Sequence, residues 1–187
     1  MKSGIVLAFD TSAAHCAAAL LWDAKVVTRV EAMAKGQAER LVPMLDEVLA
    51  GEGLSWPAIR LVAVGVGPGN FTGIRIAVAL ARGLALGLKV PAIGVTGFEA
   101  LGADRTVAIP APRGQVYLKA PGLAARIAEA APEGVTRLAD MTVADFVTAI
   151  ARVGRDKSAT AQPRPAPFYL RGADAAPASD PPPVILP

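Results

Sequence analysis

At 187 residues the chain can bury one substantial core, or two smaller ones that share a cleft. Its residues are 53% hydrophobic but only 5% aromatic, so the core must be built from Ala, Val, Leu and Ile, which suits close packing of helices on a sheet. A formal net charge of +3 with scattered Lys and Arg gives little ground for a nucleic-acid patch, and a single cysteine excludes an internal disulfide framework.

That cysteine, Cys16, lies in an apolar strand pattern and reads as a buried thiol in a reducing compartment. No run of about 18 apolar residues is free of a charge or a glycine, and the apolar stretch before Asp10 is too short for a signal peptide. The expectation is a soluble, cytoplasmic protein with no membrane contact.

Ile5 to Phe9 form a short apolar run that ends in Asp10-Thr11-Ser12, so a buried strand delivers a carboxylate and two hydroxyls to its C-terminal edge. Extended segments at Cys16 to Trp22 and Lys25 to Ala32, separated by Asp23-Ala24, predict a hairpin. A helix follows from about Gly36 to Gly51, with Leu41, Met44, Leu45, Val48 and Leu49 on one apolar stripe. Two readings of the stripe are open: it covers the chain's own sheet, or it binds a partner helix.

Leu61 to Val64 predict a buried strand, and Thr72 to Leu88 a helix rich in Gly and Ala. Between them lies Gly65-Val66-Gly67-Pro68-Gly69-Asn70-Phe71-Thr72-Gly73, a loop whose glycines permit positive φ and close approach of a backbone or an anion at a helix mouth. A strand at Ala92 to Val95 and a short helix from Phe98 complete a βββαβαβα order. Thr106 to Ala111 and Gln115 to Ala120 are further strands, and Asp140 to Val153 is a capped helix with Phe146, Val147 and Ile150 on one face. Residues 163–187, which include Pro181-Pro182-Pro183, read as an extended, proline-rich tail.

Asp10, Thr11 and Ser12 beside the glycine loop suit a phosphate site, and equally a hydrogen-bonded strand end against a tight turn. Neither the Walker pattern nor the dinucleotide glycine fingerprint is present. His15 is the only histidine, which argues against a zinc centre and leaves a Ser or Cys nucleophile without an evident triad.

Taken together, Ala8-Phe9-Asp10-Thr11-Ser12, Glu39-Arg40-Leu41-Val42-Pro43, Gly67 to Arg75 and Gly83-Leu84-Ala85-Leu86-Gly87 resemble the TsaB family, formerly YeaZ. The likeness covers about residues 4–101, and Phe168-Tyr169-Leu170-Arg171 is similar to the family's near-terminal segment. The resemblance implies an α/β, actin-like ASKHA fold of two lobes, the first ribonuclease-H-like. It divides the chain into a first lobe at 1–104, a shortened second lobe at 105–162 and the tail at 163–187.

It also implies a subunit with no catalytic residue and no metal ligand, which supports TsaD in forming N6-threonylcarbamoyladenosine at position 37 of tRNA. TsaD would be the heterodimer partner, TsaE a further partner, and tRNA would be reached through the complex. A homodimer is the arrangement implied for the chain alone. On this resemblance the partner surface is Leu41, Met44, Leu45, Val48, Thr72, Arg75 and Ala79. A vestigial phosphate site is Asp10, Thr11, Ser12, Gly67, Gly69, Thr72 and Gly73. No cofactor belongs to this chain, and ATP or ADP would bind in the complex.

Where the family tends to open a turn with Asp, this chain has Pro110-Ala111-Pro112-Arg113-Gly114. An actin-like ATPase needs an acidic residue in each lobe to place the metal and the attacking water, so Asp10 alone argues against independent hydrolysis. The competing reading is an actin-like small-molecule kinase or ATPase using Asp10, Thr11 and the glycine loop.

Overall fold

The computed structural model describes residues 4–170. Strands β1 (Ile5–Asp10), β2 (His15–Trp22) and β3 (Lys25–Ala32) form an antiparallel meander, and β4 (Ile59–Gly65) and β5 (Ala92–Val95) extend it in parallel, giving the order β3-β2-β1-β4-β5. Asp23 takes a positive φ of 51° in the two-residue turn between β2 and β3, as the expected hairpin requires.

β1 and β2 are buried along their whole length because both faces of the sheet are covered. Helices α1 (Gln37–Gly51) and α2 (Phe71–Leu88) lie on one face, with Leu7, Phe9, Leu20, Leu45 and Ile74 in the core between them. A 15-residue helix after the second sheet, Val143–Lys157, covers the other face, packing Phe146, Val147, Ile150 and Ala151 against Ala8, Ala19, Ala63 and Val95. With a short helix at Gly97–Gly102 named α3, this last helix is α4.

The placement of α4 corrects the division at residue 104. The stripe expected at Phe146, Val147 and Ile150 is there, but it belongs to the first sheet, whose second face would otherwise stay bare. Gly154 shows how close the two come: a Cβ there would lie 2.5 Å from that of Ala63.

The second sheet is small, with β6 (Val107–Pro110) and β7 (Val116–Lys119) as an antiparallel pair near the expected positions. Two further strands, Arg126–Ala128 and Thr136–Arg137, become β8 and β9 in the order β8-β7-β6-β9. At three and two residues they are too short to show alternation in the sequence. Phe98, Leu101, Ile109 and Tyr117 form the core between this sheet and α3.

Residues 163–170 form no helix or strand and are docked on the rest of the chain. Pro165 is buried, and the Phe168 amide donates to the Val66 carbonyl at 2.8 Å, while its ring contacts both the first-sheet and the second-sheet cores. Arg171 and the triple proline lie outside the described residues. By length and composition α2 is apolar enough to span a bilayer, yet it packs Ile74, Ala77, Val78 and Ala81 on the sheet and carries Arg75 and Arg82 on its outer side.

Candidate functional site

The parallel pair of β1 and β4 ends both strands at one edge, so Asp10-Thr11-Ser12 and the glycine loop meet there. The meeting is tight. Asn70 donates its amide to the Ser12 carbonyl at 2.6 Å, and Thr11 Oγ1 donates to the Gly73 carbonyl at 2.6 Å. Cβ atoms at Gly69 and Gly73 would collide with the carbonyl oxygens of Ser12 and Thr11, so these glycines are required by backbone contact within the chain. Gly67, at φ 98°, gives its carbonyl to the Gly97 amide at 2.8 Å. The N-cap of α2 is Asn70, whose side chain accepts from the Gly73 amide.

Asp10 is fully buried. Its Oδ1 accepts from the Ser12 amide at 2.9 Å, from Ser12 Oγ at 2.8 Å and from His15 Nε2 at 2.9 Å. Oδ2 is buried without a hydrogen-bond partner among the described residues and points at β4, where a Cβ on Gly65 would fall on it. Sequence reasoning missed His15 as a partner of Asp10. The signal was a gap of only five residues across a β1–β2 turn.

A cleft of about 820 Å³ opens between the two sheets. Ser12, Gly69 and Thr72 line it from one side and Pro110, Ala111 and Pro112 from the other; Asp10, Thr11, Gly67 and Gly73 do not reach it. Among the described residues, none that lines it is a carboxylate. Phe168, Tyr169 and Leu170 border it, with the Tyr169 ring stacked on Phe71 at 4.7 Å and the Arg75 guanidinium 4.2 Å over the same Phe71 ring.

These surroundings do not fit a metal–nucleotide complex. Asp10 at the strand edge is turned into the sheet, and the facing turn offers prolines. Among the described residues there is no group of three or more His, Cys, Asp or Glu placed to hold a metal ion.

The structure also corrects part of the expected partner surface. Leu41, Met44 and Leu45 are fully buried and Val48 nearly so, all packed against the chain's own sheet by the apolar side of α1. Thr72, Arg75 and Ala79 are exposed on one side of α2, continued at helical spacing by Arg82, Gly83 and Leu86, the last 82% exposed. Cys16 is fully buried, and its thiol is pushed up to about 11, by burial first and by the nearby Glu31 carboxylate second.

Comparison with known proteins follows the same lines. Residues 30–170 match the family profile described as TsaD, tRNA N6-adenosine threonylcarbamoyltransferase. The tRNA threonylcarbamoyladenosine biosynthesis protein TsaB of Escherichia coli K12 is 38% identical over 121 residues, covering 60% of this chain and 52% of that protein. The TsaB of Haemophilus influenzae is 37% identical over 101 residues, covering 54% of this chain and 43% of its own. The chain thus spans about half the length of these curated relatives.

A Pseudomonas aeruginosa structure described as similar to peptidase YEAZ superposes with a TM-score of 0.72 at 24% identity, over 90% of this chain and all of that one. YeaZ from the same organism gives 0.69 at 23%, over 83% and 94%. These likenesses bear out the actin-like α/β fold of two sheets. The chain belongs to the family described by the TsaD profile, and the curated relatives it resembles within that family are named TsaB.

Proposed function

We propose that this chain acts in the biosynthesis of threonylcarbamoyladenosine on tRNA as a non-catalytic subunit that binds TsaD. The observation that carries the non-catalytic reading is the burial of Asp10, with three donors on one oxygen and the other turned into the sheet, beside a cleft lined by no carboxylate among the described residues. A metal-assisted phosphoryl transfer needs exposed acids to place the ion, and among the described residues the cleft walls carry none. The catalytic acids, the metal and any ATP or ADP then belong to the complex.

Support for the pairing comes from α2. Thr72, Ala79 and Gly83 give its outer side a low profile on which a partner helix can come close, with Arg75 beside them and Leu86 as an apolar anchor. TsaE and tRNA join through the complex on this reading. Compartment follows from that role, in the cytoplasm with the tRNA.

The test is light scattering after size exclusion on the chain mixed with TsaD of the same organism, followed by threonylcarbamoylation of tRNA with and without the chain. A one-to-one complex and an activity that needs both chains are expected. Full activity of TsaD alone, with no complex, would sink the proposal.

A further inference from the structure

β5 is the outermost strand of the first sheet, and its pairing leaves one side open. Ala92 stands opposite Val62 and Gly94 opposite Val64, while the Val62 amide donates to the Pro91 carbonyl and the Val66 amide to the Val95 carbonyl. Parallel pairing alternates along a strand, so Pro91, Ile93 and Val95 bond towards β4, and the main-chain groups of Ala92 and Gly94 face outward. Lys157 Nζ takes the Gly94 carbonyl at 2.8 Å. Among the described residues, the amide and carbonyl of Ala92 and the amide of Gly94 have no partner and stand on the free edge, which is the template for one more strand.

That edge borders a groove of about 670 Å³ between the end of α2 and residues 158–165. Its walls are apolar at Ala85, Leu86, Val90, Ile93 and Pro165. Arg82 from α2 and Arg164 from the docked segment supply its charge, and among the described residues no Asp or Glu lines it. Both arginines are exposed.

We propose that this groove takes an extended, acidic segment of a protein partner, added beside β5 as a sixth strand. Main-chain hydrogen bonds to Ala92 and Gly94 supply the attachment, side chains on one side of the segment meet the apolar wall, and its carboxylates meet Arg82 and Arg164. The groove is separate from the cleft between the two sheets and shares with the outer side of α2 only Arg82, Gly83 and Leu86.

The probe is an acetylated, fluorescein-labelled peptide of alternating Glu and Val, titrated into the full chain beside a Lys–Val peptide of the same length. Saturable binding of the acidic peptide is expected, about tenfold or more tighter than the basic one. Amide resonances of Ala92 and Gly94 should shift, and their hydrogen exchange should slow. Combined Arg82→Ala and Arg164→Ala replacements should weaken the acidic peptide by about tenfold at unchanged melting temperature.

Ala92→Pro removes an outward donor that the sheet does not use, and should abolish binding. Should that variant melt early, the exchange data on the native chain decide the matter. No saturable binding at millimolar peptide, equal binding of both peptides, or shifts that spare Ala92 and Gly94 would each overturn the proposal.

Discussion

Thr11 and Gly73 are 62 positions apart, yet the hydroxyl of the first donates to the carbonyl of the second at 2.6 Å and a Cβ on the second would run into the carbonyl of the first. This contact fixes the end of β1 against the first turn of α2, so it sets where both the cleft and the outer side of α2 lie. Gly73→Ala should therefore cost about 3 kcal/mol, near the upper end for overpacking, and Thr11→Val about 1 kcal/mol for the lost hydrogen bond, both read by urea denaturation. Gly83, with nothing within 4 Å of its would-be Cβ, should behave in the opposite sense: Gly83→Ala should stabilise the chain by about 0.5 to 1 kcal/mol.

Two helix substitutions separate core from surface. Leu45→Asp should unfold the chain, because it places a carboxylate at a fully buried site of the first core. Ala79→Glu, on the exposed side of α2, should leave the melting curve in place and lower co-elution with TsaD. Retained co-elution of the Ala79→Glu chain would move the partner surface off α2.

Much of this was legible beforehand and some was not, for reasons that lie in particular residues. The hairpin at Asp23, β5 at Ala92–Val95 and α2 stand where residue pattern and glycine placement put them. The stripe from Leu41 to Val48 was legible as a stripe, but a single sequence cannot say which surface an amphipathic helix covers; the depth of the first core decides it. The fate of α4 was hidden for the same reason, since Phe146, Val147 and Ile150 carry no mark of the sheet they face. His15 was unreadable as a partner of Asp10 because the pairing depends on the course of a short turn, not on spacing along an element.

A third prediction concerns that pair. Asp10→Ala removes the acceptor of the Ser12 and His15 donors inside a buried edge and should destabilise the fold by about 2 to 3 kcal/mol. Threonylcarbamoylation by the complex, measured well below the melting temperature, should survive. Loss of turnover in a chain that is still folded and still bound to TsaD would return Asp10 to the chemistry.

On the opposite side of β3, Arg40 bridges Glu31 and Glu47, and Arg29 contacts both carboxylates. The hydrogen bond from Arg40 is the main reason that Glu31 is held down to about 2, and Glu47 is lowered by the same side chain. A depressed carboxylate stabilises the fold only while ionised, so the contribution of Glu31 is complete above its ordinary value of 4.5 and fades as the pH falls from there towards about 2. Arg40→Ala should raise both carboxylates towards ordinary values, seen by carbon-detected NMR titration, and should flatten the acid limb of stability against pH.

The packing of α4 on β1, β2 and β4 has a consequence for how the chain is made. The first sheet cannot be closed on both faces until residues near 157 have left the ribosome, although its strands are complete by residue 95. The second sheet is thus an excursion inserted between the last strand of a unit and the helix that seals it. A nascent chain halted before Val143 would hold Ala8, Ala19, Ala63 and Val95 against water, and its final folding step is a closure across more than half of the sequence.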